Sequence, residues 1–174
     1  MALAVCLLFD DRAETAVRQV WERLERLGLT SLATHTHGRH VPHLTYASVL
    51  GAEQDTVLTA LERLPDRGEL TLHLDAFGTF RRSRCWLAPA VTPDLAARQA
   101  AVAEAVQATG ALLHKHYVPG HWIPHVTLAP RLHLDDLAAV ASVVYDVLPI
   151  TARVTRAALI DTSTGARAPL PQLP

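Results

Sequence analysis

A fold of two equivalent lobes, each mixing strands and helices, is what this chain predicts, and three observations carry that reading. A ten-residue pattern occurs twice, as Gly38-Arg39-His40-Val41-Pro42-His43-Leu44-Thr45-Tyr46-Ala47 and as Gly120-His121-Trp122-Ile123-Pro124-His125-Val126-Thr127-Leu128-Ala129. Both copies have the form G-x-x-h-P-H-h-T-x-A, with h apolar, and a shift of 82 positions superposes them without a gap. The same shift carries the apolar run 3–9 onto 85–91, Val20 and Leu24 onto Val102 and Val106, Gly28 onto Gly110, and Leu58 and Leu61 onto Val140 and Val143. Finally, the elements read strand-helix-strand-helix-strand, twice, with no linker composition between. A repeat this long does not make a solenoid; it fits paired lobes with a common core. The expectation is a single bilobal domain over 1–174, repeated at about 1–83 and 84–161, with 162–174 as a loose tail.

Each element has a local reason. Residues 3–9 are a continuous apolar run of strand length. Asp11 and Glu14 resemble a capping box that opens a helix, whose core face is Val17, Val20, Trp21, Leu24 and Leu27, with Gly28 as its stop. Residues 31–39 are polar and rich in histidine, hence a loop, and strand character over 41–50 carries the first motif. Val57, Leu58, Leu61 and Leu64 space a second helix that Pro65 ends. Leu70, Leu72 and Leu74 alternate as a half-buried strand. Phe77-Gly78-Thr79-Phe80 and Arg81-Arg82-Ser83-Arg84 then read as a loop into a strand at 85–88. Thr92 caps a helix with Pro93 at its first position, running to Gly110. A second polar connection spans 113–121, the second motif strand 123–129, a helix 135–148 and a strand 150–160.

Composition narrows the function. At 174 residues, with 49% apolar and 19% charged residues, the chain can bury an ordinary soluble core without disulfide or metal. A net charge of −1 gives no field for a long nucleic acid, yet leaves room for a small anion held by a local cluster. Cys6 and Cys85 have no metal-ligand spacing, and reduced thiols in a cytoplasm are the default. The run 2–9 lacks a basic n-region and is too short to span a bilayer, so neither a signal peptide nor a membrane partner is expected.

The chemistry lies in the repeated motif. Side chains two apart in a strand share a face, so His43 projects with Thr45, and His125 with Thr127. An imidazole exchanges a proton near neutrality and a hydroxyl donates to a phosphate oxygen. Two such pairs facing one another supply a general base and a general acid, enough to open a strained phosphodiester without metal.

Pro42-His43-Leu44-Thr45 and Pro124-His125-Val126-Thr127 resemble the paired H-h-T signatures of the 2H phosphoesterase superfamily, which includes bacterial 2′-5′ RNA ligase-like proteins and cyclic nucleotide phosphodiesterases. The stretch from Phe77 to Phe80 through Arg84-Cys85-Trp86-Leu87 resembles the Gly/Phe loop and apolar strand that the family carries between its motifs. The resemblance implies a bilobal α+β fold with two antiparallel sheets forming a central groove and helices outside. It also implies cofactor-free, metal-independent hydrolysis of 2′,3′-cyclic phosphates of nucleotides or RNA ends. Ligation or opening of 2′-5′ linkages is the nearest alternative, and a non-catalytic binder of such ends the alternative from another class. Tyr46 departs from the aliphatic residue frequent in the ligase-like branch.

His43 and His125 are therefore the expected catalytic pair, with Thr45 and Thr127 holding phosphate oxygens. Tyr46, Phe80, Tyr117 and Trp122 are candidate stacking platforms for a base. Arg82, in the run with Arg81 and Arg84, and Lys115, which breaks the repeat, are candidate phosphate contacts. His35, His37, His40 and His43 have a spacing that can chelate a metal, but no Cys or carboxylate accompanies them, and no metal site is expected. The expected protein is a cytoplasmic monomer acting on a nucleotide or RNA-end substrate.

Overall fold

The computed structural model describes residues 2–81 and 84–174. Its first strand, β1 (Ala2–Phe9), is the expected apolar run. It lies between β2 (His43–Leu50) and β7 (Ile150–Asp161), antiparallel to both. A strand with neighbours on both edges and material on both faces must be apolar throughout. Leu3, Val5, Leu7 and Phe9 accordingly enter the main core, while Ala4, Cys6 and Leu8 form a small cluster with Ala158 on the opposite face.

The helices cover the main-core face. In α1 (Asp11–Arg26), Ala13, Val17, Val20, Trp21 and Leu24 are buried at helical spacing. Its cap is one residue earlier than expected: Asp10 accepts from the Ala13 N–H at 2.9 Å, and Glu14 instead pairs with Arg18 at 2.8 Å. The helix α3 (Pro93–Gln107) starts as its sequence predicts, with the Thr92 hydroxyl accepting from the Leu95 N–H. The remaining helices, α2 (Gln54–Glu62) and α4 (Leu137–Tyr145), are shorter, the latter entered through a single 3-10 turn at Leu134–Asp136. No helix among the described residues is long and apolar enough to cross a membrane.

The expected pair of sheets is one sheet. With β3 (Leu70–Phe80), β4 (Arg84–Pro89), β5 (Leu112–Leu113), β6 (Val126–Ala129) and β8 (Arg167–Pro169), the eight strands run β5-β2-β1-β7-β3-β4-β6, with β8 beside β7. The halves fuse because β3 and β7 hydrogen-bond from Leu70↔Val154 to Leu74↔Ile150. Exchanging β2 with β6, β1 with β4 and β7 with β3 maps this order onto itself, apart from the short β5 and β8. Within that correspondence, two offsets operate. The motif strands are related by 82, but pairing relates the first strands by 80: Cys6 faces Thr45 as Trp86 faces Thr127, and each strand bulges at this point. The connection into α3 is two residues longer than that into α1, and this absorbs the difference.

Two further expectations are corrected. Phe77 to Phe80 is not a loop; these residues finish β3, where Phe80 pairs with Arg84 of β4. The tail is not loose either. Arg167 to Pro169 extends the sheet, Leu173 is buried, and the Gln172 amide donates to the Leu61 and Leu64 carbonyls. These contacts seal the end of α2, so the polar composition of the tail reflects backbone capping.

The motif strands β2 and β6 approach one another, and the edges they present there lack a full strand partner. Side chains supply the missing donors: Trp122 Nε1 to the Thr45 carbonyl at 3.0 Å, Trp21 Nε1 to the Thr127 carbonyl at 3.2 Å. The buried Gln99 amide donates to the carbonyls of Tyr46 (3.1 Å) and Tyr117 (2.7 Å), tying α3 to the motif strand and to the loop beyond β5. Gln99→Leu leaves both carbonyls without that donor, and is expected to lower unfolding free energy by about 1–3 kcal/mol. Urea denaturation checks this, and an unchanged midpoint would show that water replaces the amide at no loss.

Candidate active site

The alternation of β2 and β6 places His43 with Thr45 and His125 with Thr127 on the face away from the main core, and all four line one groove of about 280 Å³. The two histidines are held alike. His43 Nδ1 donates to the Val41 carbonyl at 2.6 Å, and His125 Nδ1 to the Ile123 carbonyl at 2.7 Å. In each case Pro42 or Pro124 stands between the two partners and keeps the strand entry extended. A carbonyl can only accept, so each neutral ring carries its proton on Nδ1 and leaves the Nε2 lone pair free.

Burial holds both imidazoles below the ordinary value of 6.5, His125 at about 4; the charges of Arg84 and His43 lower His125 further. The Thr45 hydroxyl lies 3.6 Å from the Cys6 sulfur. Burial pushes that thiol up to about 12, so it stays protonated and serves as a weak polar neighbour with no nucleophilic role at neutral pH. Tyr117 also lines the groove, its phenol likewise pushed up to about 12 by burial.

The rest of the lining defines what the groove accepts. Besides the motif residues it contains His35, His37 and His40 and the guanidinium-bearing Arg39, Arg84 and Arg167, and no carboxylate among the described residues. Among the described residues no set of three or more His, Cys, Asp or Glu is arranged to hold a metal. The loop histidines stack on one another instead, His37 and His40 with centroids 4.1 Å apart, and His40 Nε2 bonds the Thr36 hydroxyl at 3.0 Å. With cations and hydroxyls converging and carboxylates absent, the groove favours an anion.

Not every expected contact is in the groove. Tyr46 is fully buried on the opposite side of β2, its ring edge-on to Trp122 at 5.9 Å, because it is one residue from Thr45 and so points into the core. Trp122 is committed to the Thr45 carbonyl, a positioning role. Phe80 packs edge-on against His125 at 4.9 Å and against Trp86 at 4.9 Å, buttressing the imidazole. Gly78 makes room for this stack: a Cβ there would lie 2.7 Å from the Trp86 ring. Lys115 is exposed outside the groove lining, and Arg82 lies outside the described residues. Arg84, of the same arginine run, and Tyr117, one of the expected platforms, do line the groove. Strand parity could have selected Arg84, since it shares a face with Trp86; Arg39 and Arg167 had no such signal.

Because the folded protein holds His40 and His125 neutral while the unfolded chain titrates them near 6.5, the unfolded state binds more protons between pH 6.5 and about 4. Stability is expected to fall as pH is lowered through that window. Denaturation midpoints at pH 7 and pH 5 check this, with His125→Gln expected to flatten the dependence; an equal dependence in that variant would refute the contribution of His125.

A family model described as the 2′-5′ RNA ligase superfamily matches residues 10–166. No curated protein matches the chain. Among solved structures it is similar to E. coli LigT complexed with NADP+ (16% identity, 97% of this chain and 93% of that chain, TM-score 0.61). It is similar to a crystallised phosphoesterase (19% identity, 97% and 94%, TM-score 0.57) and to Kluyveromyces marxianus Usb1 (13% identity, 98% and 97%, TM-score 0.52).

Proposed function

The chain belongs to the 2′-5′ RNA ligase superfamily, as its paired motifs led one to expect, and from that membership and the groove we propose that it hydrolyses 2′,3′-cyclic phosphates of nucleotides or RNA ends. The observation that carries the reading is the matched pair of imidazoles, each with Nδ1 locked on a backbone carbonyl and a free Nε2, in one carboxylate-free groove.

Proton transfer follows from that arrangement. The neutral ring of one histidine takes a proton from water at Nε2 as the oxygen attacks phosphorus. The bond from phosphorus to one ribose oxygen breaks, and the other histidine, protonated, delivers its Nε2 proton to that oxygen. Thr45 and Thr127 donate to the non-bridging oxygens as negative charge builds, and Arg84 offsets that charge from the groove wall. The residues supply acid, base and anion binding without a metal, and activity is expected to survive excess EDTA.

One observation favours hydrolysis over joining of ends, in which a hydroxyl of a second nucleotide takes the place of water as nucleophile. One side of His125 is filled by Phe80 and Trp86, which leaves little room for a second nucleotide. The nucleotide-bearing relatives, LigT with 3′-AMP and Usb1 with uridine monophosphate, support a nucleotide ligand of this kind.

A screen of purified protein against 2′,3′-cyclic nucleotides tests the reading directly. His43→Ala and His125→Ala are each expected to lower kcat/KM by on the order of 10²–10⁴, and the double variant by far less than the product of the two. Thr45→Val and Thr127→Val remove a hydrogen bond and no proton carrier, so their losses are expected to be smaller. His73→Ala, exposed on β3, is the control. Since both imidazoles titrate below 6.5 in the free protein, the one-proton form of the pair is populated on the acid side. The kcat/KM profile is expected to be a bell centred below pH 6.5. Wild-type turnover in both single histidine variants would refute the catalytic assignment.

A further inference from the structure

We propose that the groove holds a second phosphate, carried on the 5′ oxygen of the nucleoside whose cyclic phosphate is cleaved, between Arg39 and Arg167; this rests on the phosphoesterase reading above. The starting observation is that the two halves of the groove, related by the strand exchange, are chemically unlike. Pairing makes Cys6 the counterpart of Trp86, Ala158 the counterpart of Gly78, and Ile160 that of Phe80. On the His125 side, the rings of Trp86 and Phe80 fill the space. On the other side the floor consists of the small side chains Ala4 and Cys6 with Ile160, and the groove continues over them. A ligand whose reacting phosphate sits between the two motifs therefore extends in one direction.

That direction ends in cations. Arg39, from the histidine loop, and Arg167, from β8, both line the groove, and neither joins any ion pair among the described residues. The wall that carries them is built. Arg39 donates from its guanidinium to the Thr164 carbonyl and from its backbone N–H to His37 Nδ1 at 3.0 Å. Gly165, at φ +73°, brings the turn before β8 against the His37 ring, where a Cβ would lie 2.5 Å from the nearest ring atom. Loop and turn are thus fastened to one another, with the Arg39 guanidinium keeping donors beyond the one it gives to Thr164 and the Arg167 guanidinium in no hydrogen bond or ion pair among the described residues. Burial and neighbouring charge hold His35 and His40 neutral at pH 7, so the arginines are the fixed charges at this end. In a 2′,3′-cyclic nucleotide the 2′ and 3′ oxygens are both in the ring, so the 5′ oxygen is the one ribose oxygen left to carry a further phosphate. That phosphate is either a free 5′-monophosphate or the diester link to a preceding nucleotide.

Calorimetric titration of the wild-type protein with nucleoside 2′-phosphate and nucleoside 2′,5′-bisphosphate tests this by binding, independently of turnover. The bisphosphate is expected to bind on the order of tenfold more tightly or better, the strength of charge-assisted contacts to guanidinium, and the ratio is expected to shrink as salt rises. Arg167→Gln, which breaks no hydrogen bond of the wall, is expected to lose most of that preference, and Arg167→Lys to keep a part of it. A dinucleotide ending in a 2′-phosphate is the third ligand: a preference equal to that of the bisphosphate assigns the site to the diester link, a weaker one to the free monophosphate. Equal affinity for mono- and bisphosphate, or a preference untouched in Arg167→Gln, overturns the second-phosphate site even if cyclic phosphates are hydrolysed. Tight, arginine-dependent binding of the bisphosphate with no hydrolysis of any cyclic phosphate would uphold the site and sink the phosphoesterase reading.

Discussion

A sheet edge turned inward is costly unless each of its carbonyls finds a donor, and both motif strands in this protein present such edges to one another. The donors come from elsewhere in the chain: an indole from α1, an indole from the loop before β6, and an amide from α3. Because those donors are large, with Trp21 and Gln99 buried and Trp122 half-buried against the core, they fix the strand positions to within a hydrogen bond. The residues beside the chemistry are therefore set by residues that never meet a ligand. Trp21, Trp122 and Gln99 belong to the site in this sense although none of them faces the groove.

Symmetry in the backbone coexists with asymmetry in the side chains. The two histidines have the same tautomer, the same type of carbonyl partner and the same direction of perturbation, so the backbone delivers two equivalent proton carriers. Their neighbours differ. His125 rests against two aromatic rings, whereas His43 opens onto a floor of small residues. Equivalence suits a reaction in which the two imidazoles exchange roles between forward and reverse directions. Inequivalence sets which way round an unsymmetrical ligand lies.

The motifs were legible because proline, histidine and threonine have side-chain roles that survive any tertiary context: an extended entry, a proton carrier and a donor two positions later. Helix α3 was legible for the same reason, through Thr92 and Pro93. What escaped was set by partners remote in sequence. Nothing local distinguishes Asp10 from Asp11 as a cap. Joining β3 to β7 depends on how two halves meet, so two sheets and one sheet have the same local pattern. Tyr46 looked like a ligand platform by its chemistry, yet strand parity alone sends it into the core. The tail, polar and rich in proline, owes its order to carbonyls on α2 that no reading of the tail reveals.

The stack of Trp86 against His125 has an optical consequence. Trp21 and Trp122 have their indole N–H groups engaged by backbone carbonyls, whereas Trp86, whose N–H has no partner among the described residues, lies 6.1 Å centroid to centroid from an imidazole that changes charge. An imidazolium withdraws electron density from an excited indole and dims it; a neutral imidazole does so far less. The emission of one native tryptophan thus follows the protonation of one histidine, and occupancy of the groove can be watched without any label.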